Sequence, residues 1–276
     1  MSTFAAEWMS QPRVLADVVA NVGSAIMVVL VVLGGLGLLA LIIALVIRSA
    51  RMERERTAAL RAFAEQRQCQ FYEVHPGIED ILGFFPLFQV GHSRCGFNIA
   101  VGAMTLGGIQ CETIWGDYQY KITTSNGKQT TTATFLTSFV VTKPRLVANE
   151  DLTVRRENWF DKIGEFVGLD DIDFESSEFS KRFHVKCSDR RFAFDLFEPR
   201  MMEFFLASNP PSMNLTQNTV LWHHAQTRWT PAELAHNLEW VNRFFLMVPR
   251  HLRAARLPAD EQHLDPILNP SASETS

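Results

Sequence analysis

The chain has 276 residues, a formal net charge of −4, 47% hydrophobic residues and 11% aromatic ones. That balance excludes a wholly disordered chain and provides no bulk attraction to nucleic acid, so no nucleic-acid partner is expected. Cys69, Cys95, Cys111 and Cys187 stand singly with no C-x-x-C pair, which excludes a dense disulfide framework and fits a reduced compartment.

Residues 1–21 read as a short extracytoplasmic tail. Residues 22–47 carry no charged side chain. As a helix this stretch is about 39 Å long at 1.5 Å per residue, against a hydrocarbon core of about 30 Å. It outruns the apolar part of a signal peptide and lacks a small-residue cleavage pattern before Arg48. It is therefore predicted to be one transmembrane helix in contact with the lipid bilayer.

Arg13 precedes the span, beside Glu7 and Asp17, whereas Arg48, Arg51, Arg54, Arg56, Arg61 and Arg67 follow it. The excess of arginine predicts an inner-membrane, single-pass protein with its N-terminus outside and its C-terminal domain cytoplasmic. Gly37, Ala40 and Ala44 fall on one side of the span. Such a stripe suits a homodimer through the helix, and equally the ordinary composition of a spanning segment.

Residues 48–68 read as a juxtamembrane helix or stalk, with Arg51 and Glu55 four apart on a solvated face. Residues 69–256 then form the folded domain. Residues 71–74 are strand-like, and His75-Pro76-Gly77 breaks them. From Phe84 onward the pattern is read as strand, with Phe88, Val90 and His92 alternating. Residues 93–96 and 105–108 are assigned as turns between strands.

Residues 109–142 carry two long β-rich runs that meet at Asn126-Gly127, the pair that suits a two-residue type I′ hairpin. Gly116 marks a bulge or kink, and Pro144 ends the hairpin. Residues 158–167 suggest a short helix, and residues 183–187 and 192–197 read as strands. Pro199 opens a helix over residues 200–207. Residues 213–217 and 219–224 form a second small hairpin. Thr230-Pro231-Ala232-Glu233 is a capping box. Leu234, Leu238, Val241, Phe245 and Val248 then give one apolar helical face, which Pro249 ends. Residues 257–276, rich in Pro, Ser and Ala, read as a disordered tail. The fold class is α+β: one N-terminal transmembrane helix, then a mostly antiparallel β-sheet domain covered by helices.

Chemistry is harder to find. Asp170, Asp171, Asp173 and Glu175 crowd together, but a calcium loop counted from Asp171 would need Gly and Glu where Ser176 and Arg182 stand. The cluster is read as a solvated turn. His223 and His224 are adjacent in a strand and face opposite ways, so they cannot chelate one metal. No G-x-S-x-G elbow, phosphate loop or dinucleotide fingerprint is present. No catalytic, cofactor-binding or metal residue is nominated, and no cofactor is expected. One polar set, Arg94, Asn98, Asp117, Tyr118 and Tyr120, lies on neighbouring strands. It either lines a groove or fixes strand register, and the second role is preferred.

The stretches FFPLFQVGHSRCGFNIAVG, WGDYQY, LDDIDFESSEFSKRFHV and FDLFEP, behind a single spanning helix, resemble a group of uncharacterised bacterial single-pass membrane proteins. The likeness covers most of residues 60–206. It implies an inner-membrane protein with a cytoplasmic α+β domain and carries no catalytic residue across.

The leading functional expectation is a membrane-anchored interaction or scaffolding module with an unknown membrane or cytoplasmic protein partner. Two alternatives stand beside it. One is an anchored enzyme with a site around Arg94, Asp117 and Tyr118. The other is a lipid-headgroup binder using Arg243, Arg250, Arg253 and Arg256.

Overall fold

The fold is that of a computed structural model of the chain, which describes residues 3–75, 77–127, 129–144, 150–156 and 171–253. Two compact units divide at Glu55 and Arg56. The first is helical. Its helix α1 (Thr3–Glu65) begins inside the stretch assigned to a tail and runs on into the second unit. Between residues 30 and 47 the apolar side chains lie open, Leu33, Leu36 and Leu41 each more than half exposed. Among the described residues this is the one helix long and apolar enough to cross a membrane, and lipid is the solvent in which such a face costs nothing.

The second unit starts earlier than the sequence reading had it. Residues 56–65 are not only a stalk. Leu60 and Ala64 are buried, and Phe63 packs edge-on against Trp115 with ring centroids 5.5 Å apart. Four residues per turn place Leu60, Phe63 and Ala64 on one side of the helix, and that side closes on the sheet.

The sheet has eight strands in the order β1-β2-β3-β4-β8-β7-β5-β6, every pair antiparallel. They are β1 (Gln70–His75), β2 (His92–Leu106), β3 (Ile109–Ser125), β4 (Thr130–Pro144), β5 (Leu152–Arg156), β6 (Phe183–Cys187), β7 (Ser212–Thr216) and β8 (Thr219–His223). The β7–β8 hairpin stands where the sequence placed it. The turn at Gly107 and Gly108 does too, with φ of +58° and +79°.

Three local readings are corrected. Residues 86–89 form a helical turn, α3 (Pro86–Gln89), with Pro86 in its first turn, not the start of a strand. Residues 93–96 do not end a strand but lie within β2, where the register slips between His92 and Cys95. Ser93 takes φ +51°, so the turn-like residues there serve a bulge. Residues 190–196 are helix α5 (Arg190–Leu196), because the Asp189 carboxylate accepts from the Arg191 N–H and caps it. Its Ala193 and Leu196 are buried, which the two-residue alternation of a strand does not describe.

The β3–β4 hairpin is real, but its loop is longer than expected. Ser125 pairs with Thr130, and the Asn126 carboxamide oxygen accepts from the Gln129 N–H at 2.9 Å. Gly127 takes φ +81°, whereas Asn126 is not among the residues with positive φ, so the two-residue type I′ geometry does not form. The helix suggested at residues 158–167 and the tail at residues 257–276 lie outside the described residues.

Both faces of the sheet are covered, not one. On one face lie α1, α4 (Ser177–Arg182), α5, α6 (Pro199–Leu206) and α7 (Pro231–Met247), with an aromatic core of Trp115, Phe179, Phe205, Trp222, Trp240 and Phe244. On the other lie α2 (Ile78–Ile81) and α3, which bury Ile78, Leu82, Phe85 and Phe88 against Ile114, Tyr118 and Tyr120. The capping box that opens α7 forms as its sequence predicts, Thr230 and Glu233 bonding reciprocally. After Val248 the chain makes one more short turn, α8 (Arg250–Arg253).

His223, at the end of β8, is 3% exposed, and among the described residues its Nδ1 has no hydrogen-bond partner. Burial, and then the neighbouring His224, push its pKa down from 6.5 to about 4. The unfolded chain therefore takes up this proton first as pH falls. Stability is complete above the unfolded value and drains away between about pH 6.5 and pH 4, by roughly 3 kcal/mol if the whole shift counts. Urea unfolding of the full chain in detergent at about pH 7 and about pH 4.5 is expected to show that loss, and His223→Asn is expected to lose distinctly less.

Candidate functional site

The sequence nominated Arg94, Asn98, Asp117, Tyr118 and Tyr120 as one set. The structure divides it between the two faces of the sheet. Along β3, odd and even residues point opposite ways. Tyr118 and Tyr120 are buried among α2 and α3. There the Tyr118 hydroxyl and the Arg94 guanidinium both donate to the Phe88 carbonyl, at 3.2 and 2.8 Å. Burial pushes the Tyr118 phenol upward from 10. Arg94 and Tyr118 thereby hold α3 down on the sheet, and Tyr120 packs in the same core.

Asn98 and Asp117 do meet, on the other face. The bulge between Phe97 and Ala100 sets Asn98 and Ile99 opposite the single residue Gly116, so the irregularity read at Gly116 belongs to its partner strand. Asn98 adopts φ +53°. A Cβ on Gly116 would stand 2.9 Å from the Asn98 carbonyl oxygen, so only glycine lets the bulge come this close.

The bulge aims the Asn98 carboxamide at Asp117, donating to Oδ2 at 3.2 Å. Asp117 is 1% exposed. Arg56 donates to both its oxygens, at 2.5 and 3.0 Å. The Ser138 hydroxyl donates to Oδ1 at 2.5 Å, and Arg228 Nε to Oδ2 at 3.3 Å. One carboxylate thus joins α1, β2, β3, β4 and the loop after β8.

That loop, residues 224–230, is stitched down by the same groups. The Trp229 carbonyl accepts from Arg56 at 2.7 Å, and its backbone N–H donates to the Ser138 hydroxyl at 2.9 Å. The Thr137 hydroxyl donates to the His224 carbonyl at 2.9 Å. The space beside the carboxylate amounts to about 10 Å³, far too small for an organic substrate. Asp117 is a structural hub, and the register-fixing role preferred from sequence describes it better than a groove.

Beyond the loop the surface does open. A cleft of about 390 Å³ is lined by Arg156, Asn209, His224, Thr227, Trp229, Glu233, His236 and Asn237. Its volume falls in the range of small-molecule sites. The Trp229 indole N–H donates to His224 Nδ1 at 3.1 Å. An indole can only donate, so Nδ1 must accept and the imidazole is neutral. Burial lowers the His224 pKa, and the carbonyls of Pro210 and Asn209 offset part of that. The Glu233 carboxylate is held by the Thr230 backbone N–H and hydroxyl at 2.7 and 2.9 Å, and these bonds lower its pKa. His224 and Glu233 are therefore committed to the loop, while Arg156 and His236 complete the ionisable lining.

Asn237 differs. It is 5% exposed, and among the described residues its carboxamide has no hydrogen-bond partner. Sequence reasoning missed this cleft because its members lie on β5, on the stretch after α6, in the loop after β8 and on α7. The one local signal was the capping box, which places Glu233, His236 and Asn237 within the first two turns of α7.

Other candidates resolve simply. The Asp171 carboxylate lies 3.4 Å from His184, and its backbone pairs with that of Lys186 in an isolated antiparallel β-bridge. Among the described residues no group of three or more His, Cys, Asp or Glu is placed to hold a metal. An apolar slot beneath α5 and α7 holds only about 40 Å³. Of the headgroup arginines, Arg253 is spent on the carbonyls of Val248, Gly107 and Phe245, and Arg243 lies over the Phe204 ring. Arg256 lies outside the described residues.

Removing one member of a buried ion pair strands the other, at a cost of about 3–5 kcal/mol, whereas removing both is far milder. Arg56→Met and Asp117→Leu are each expected to cost several kcal/mol in denaturant unfolding. The double variant should fall short of their sum by about 1–3 kcal/mol.

No protein-family model matches the chain, and no curated protein does. Among solved structures it is similar to the crystal structure of the mycobacterial trehalose monomycolate transport factor A, TtfA. The TM-score is 0.48 at 12% identity, over 74% of this chain and 99% of that one.

Proposed function

We propose that the chain is a membrane-anchored binding module that holds a ligand or partner in the cleft at the head of α7 and performs no chemistry on it. The observation that carries this reading is Asn237, a largely buried residue whose carboxamide opens into the cleft and bonds no other group among the described residues. Of the cleft's groups that could act as acid or base, His224 and Glu233 are tied into the loop that walls it, and His236 has no hydrogen-bond partner to activate it among the described residues. A site with bonded polar walls and one amide open to what enters is built to recognise.

The anchored enzyme around Asp117 loses its support, since Asp117 is sealed by Arg56, Asn98, Ser138 and Arg228. The headgroup reading loses Arg253 to internal carbonyls.

The placement belongs to the same proposal. The apolar helix anchors the chain in an inner membrane, and the arginines after the span keep the second unit in the cytoplasm. A homodimer through Gly37, Ala40 and Ala44 is compatible with it, since a Cβ on Gly34, Gly35 or Gly37 would meet nothing within 4 Å. The likeness to uncharacterised bacterial single-pass proteins agrees with this placement.

Native mass spectrometry of the full chain, gently extracted from membranes, tests the binding reading. The wild type should carry a reproducible bound mass, protein or small molecule, and Asn237→Leu should lose it while unfolding at a similar temperature. A wild type that never carries one abandons the reading. Orientation is tested separately, with a reporter active only outside the cytoplasm fused after Ser276. It should stay silent, and strong activity reverses the assignment.

A further inference from the structure

We infer that the cleft recognises an oxyanion, a phosphate or carboxylate group on a small soluble molecule, through Arg156, with Asn237 taking an adjacent polar group. This rests on the binding reading above and adds the chemical class of what is bound.

Arg156 closes β5 at the edge of the cleft. Its guanidinium donates to the Asn209 carboxamide oxygen, and among the described residues no carboxylate pairs with it. A guanidinium has five N–H donors in a planar fork that matches an oxyanion bidentately. One bond to a neutral amide leaves most of that fork and all of its charge uncompensated. Asn209 thus orients the fork without neutralising it.

Asn237 supplies the second half. Its carboxamide is open to the cleft and bonds no other group among the described residues, so a ligand group can reach it there. Having both a donor and an acceptor, it reads a hydroxyl or amide next to the anion.

The opposing charge is Glu233. Its carboxylate is bonded twice by Thr230 and sits in the first turn of α7, where the helix N-terminus attracts it. Its charge is thereby turned toward the helix. His224, fixed as a neutral imidazole by Trp229, adds no charge of either sign. Arg156 is left as the charge that decides the ligand, and about 390 Å³ is room for a molecule bearing the anion, not the bare ion alone.

The test uses the full chain in phosphatidylcholine nanodiscs and isothermal titration with three compounds on one three-carbon skeleton: glycerol 3-phosphate, glycerate and glycerol. At least one of the two anions should bind and glycerol should not. Arg156→Gln should weaken binding at least about tenfold, Arg156→Lys less, because it keeps the charge and loses the fork. Asn237→Leu should weaken it too, with the unfolding midpoint of each variant close to that of the wild type.

Repeating the titration in phosphatidylglycerol nanodiscs separates the sources. Unchanged affinity supports a soluble ligand, and competition by the lipid overturns the soluble source in favour of a headgroup. No binding of either anion, equal binding of glycerol, or indifference to Arg156→Gln overturns the oxyanion. If Asn237→Leu still abolishes the bound mass from membranes, only the ligand class has failed. If that mass never appears, the cleft reading itself has.

Discussion

A carboxylate sealed from water is costly unless charge and hydrogen bonds surround it, and the second unit is organised around meeting that condition for Asp117. Its two oxygens accept from Arg56, Asn98, Ser138 and Arg228. Each donor comes from a different part of the chain, so satisfying Asp117 fixes four placements together. The end of α1 must reach the sheet, β2 must bulge, β4 must hold register, and the loop after β8 must fold back. Packed apolar residues can match the stability of such a cluster, but they do not specify these placements.

The cleft inherits its shape from that hub. Trp229 faces both ways: its backbone bonds Arg56 and Ser138, while its indole N–H fixes His224. A binding surface needs walls that do not move when the ligand arrives. Here the rigidity comes from behind the wall, through a bonded loop whose two ends are strand β8 and the capped start of α7. Burial of His223, the last residue of β8 before that loop, adds a neutral, poorly protonated base to the core and makes this region sensitive to acid.

What the sequence disclosed follows from the range of each interaction. The long apolar helix, the β3–β4 hairpin and the capping box are written in neighbouring residues, and all three appear. Residues 93–96 read as a turn and Asn98 as an ordinary strand position, although Ser and Asn both tolerate unusual backbone angles. They do adopt them at Ser93 and Asn98, but as bulges inside a strand of 15 residues. Local sequence cannot separate the two outcomes, since the deciding factor is the long partner strand β3. For α5, two phenylalanines alternating with smaller residues imitated a strand, and the Asp189 cap together with one buried helical face settled the matter.

The site was harder for the same reason, taken further. Arg56 lies 61 residues before Asp117, and Arg228 lies 111 after it. No spacing rule links them, and Arg56 was assigned wholly to the membrane-flanking cations. It serves both descriptions: it adds to the arginine excess beyond the span and also carries the first long-range bond of the second unit. The fold therefore begins at the residue where the flanking charges acquire a buried partner. This explains why the unit boundary falls at Arg56, ahead of the strand-forming sequence. An arginine after a membrane span is ordinarily satisfied by water or headgroups. Here a carboxylate with no access to either has recruited it, and the loop that forms the cleft wall is secured by the same guanidinium.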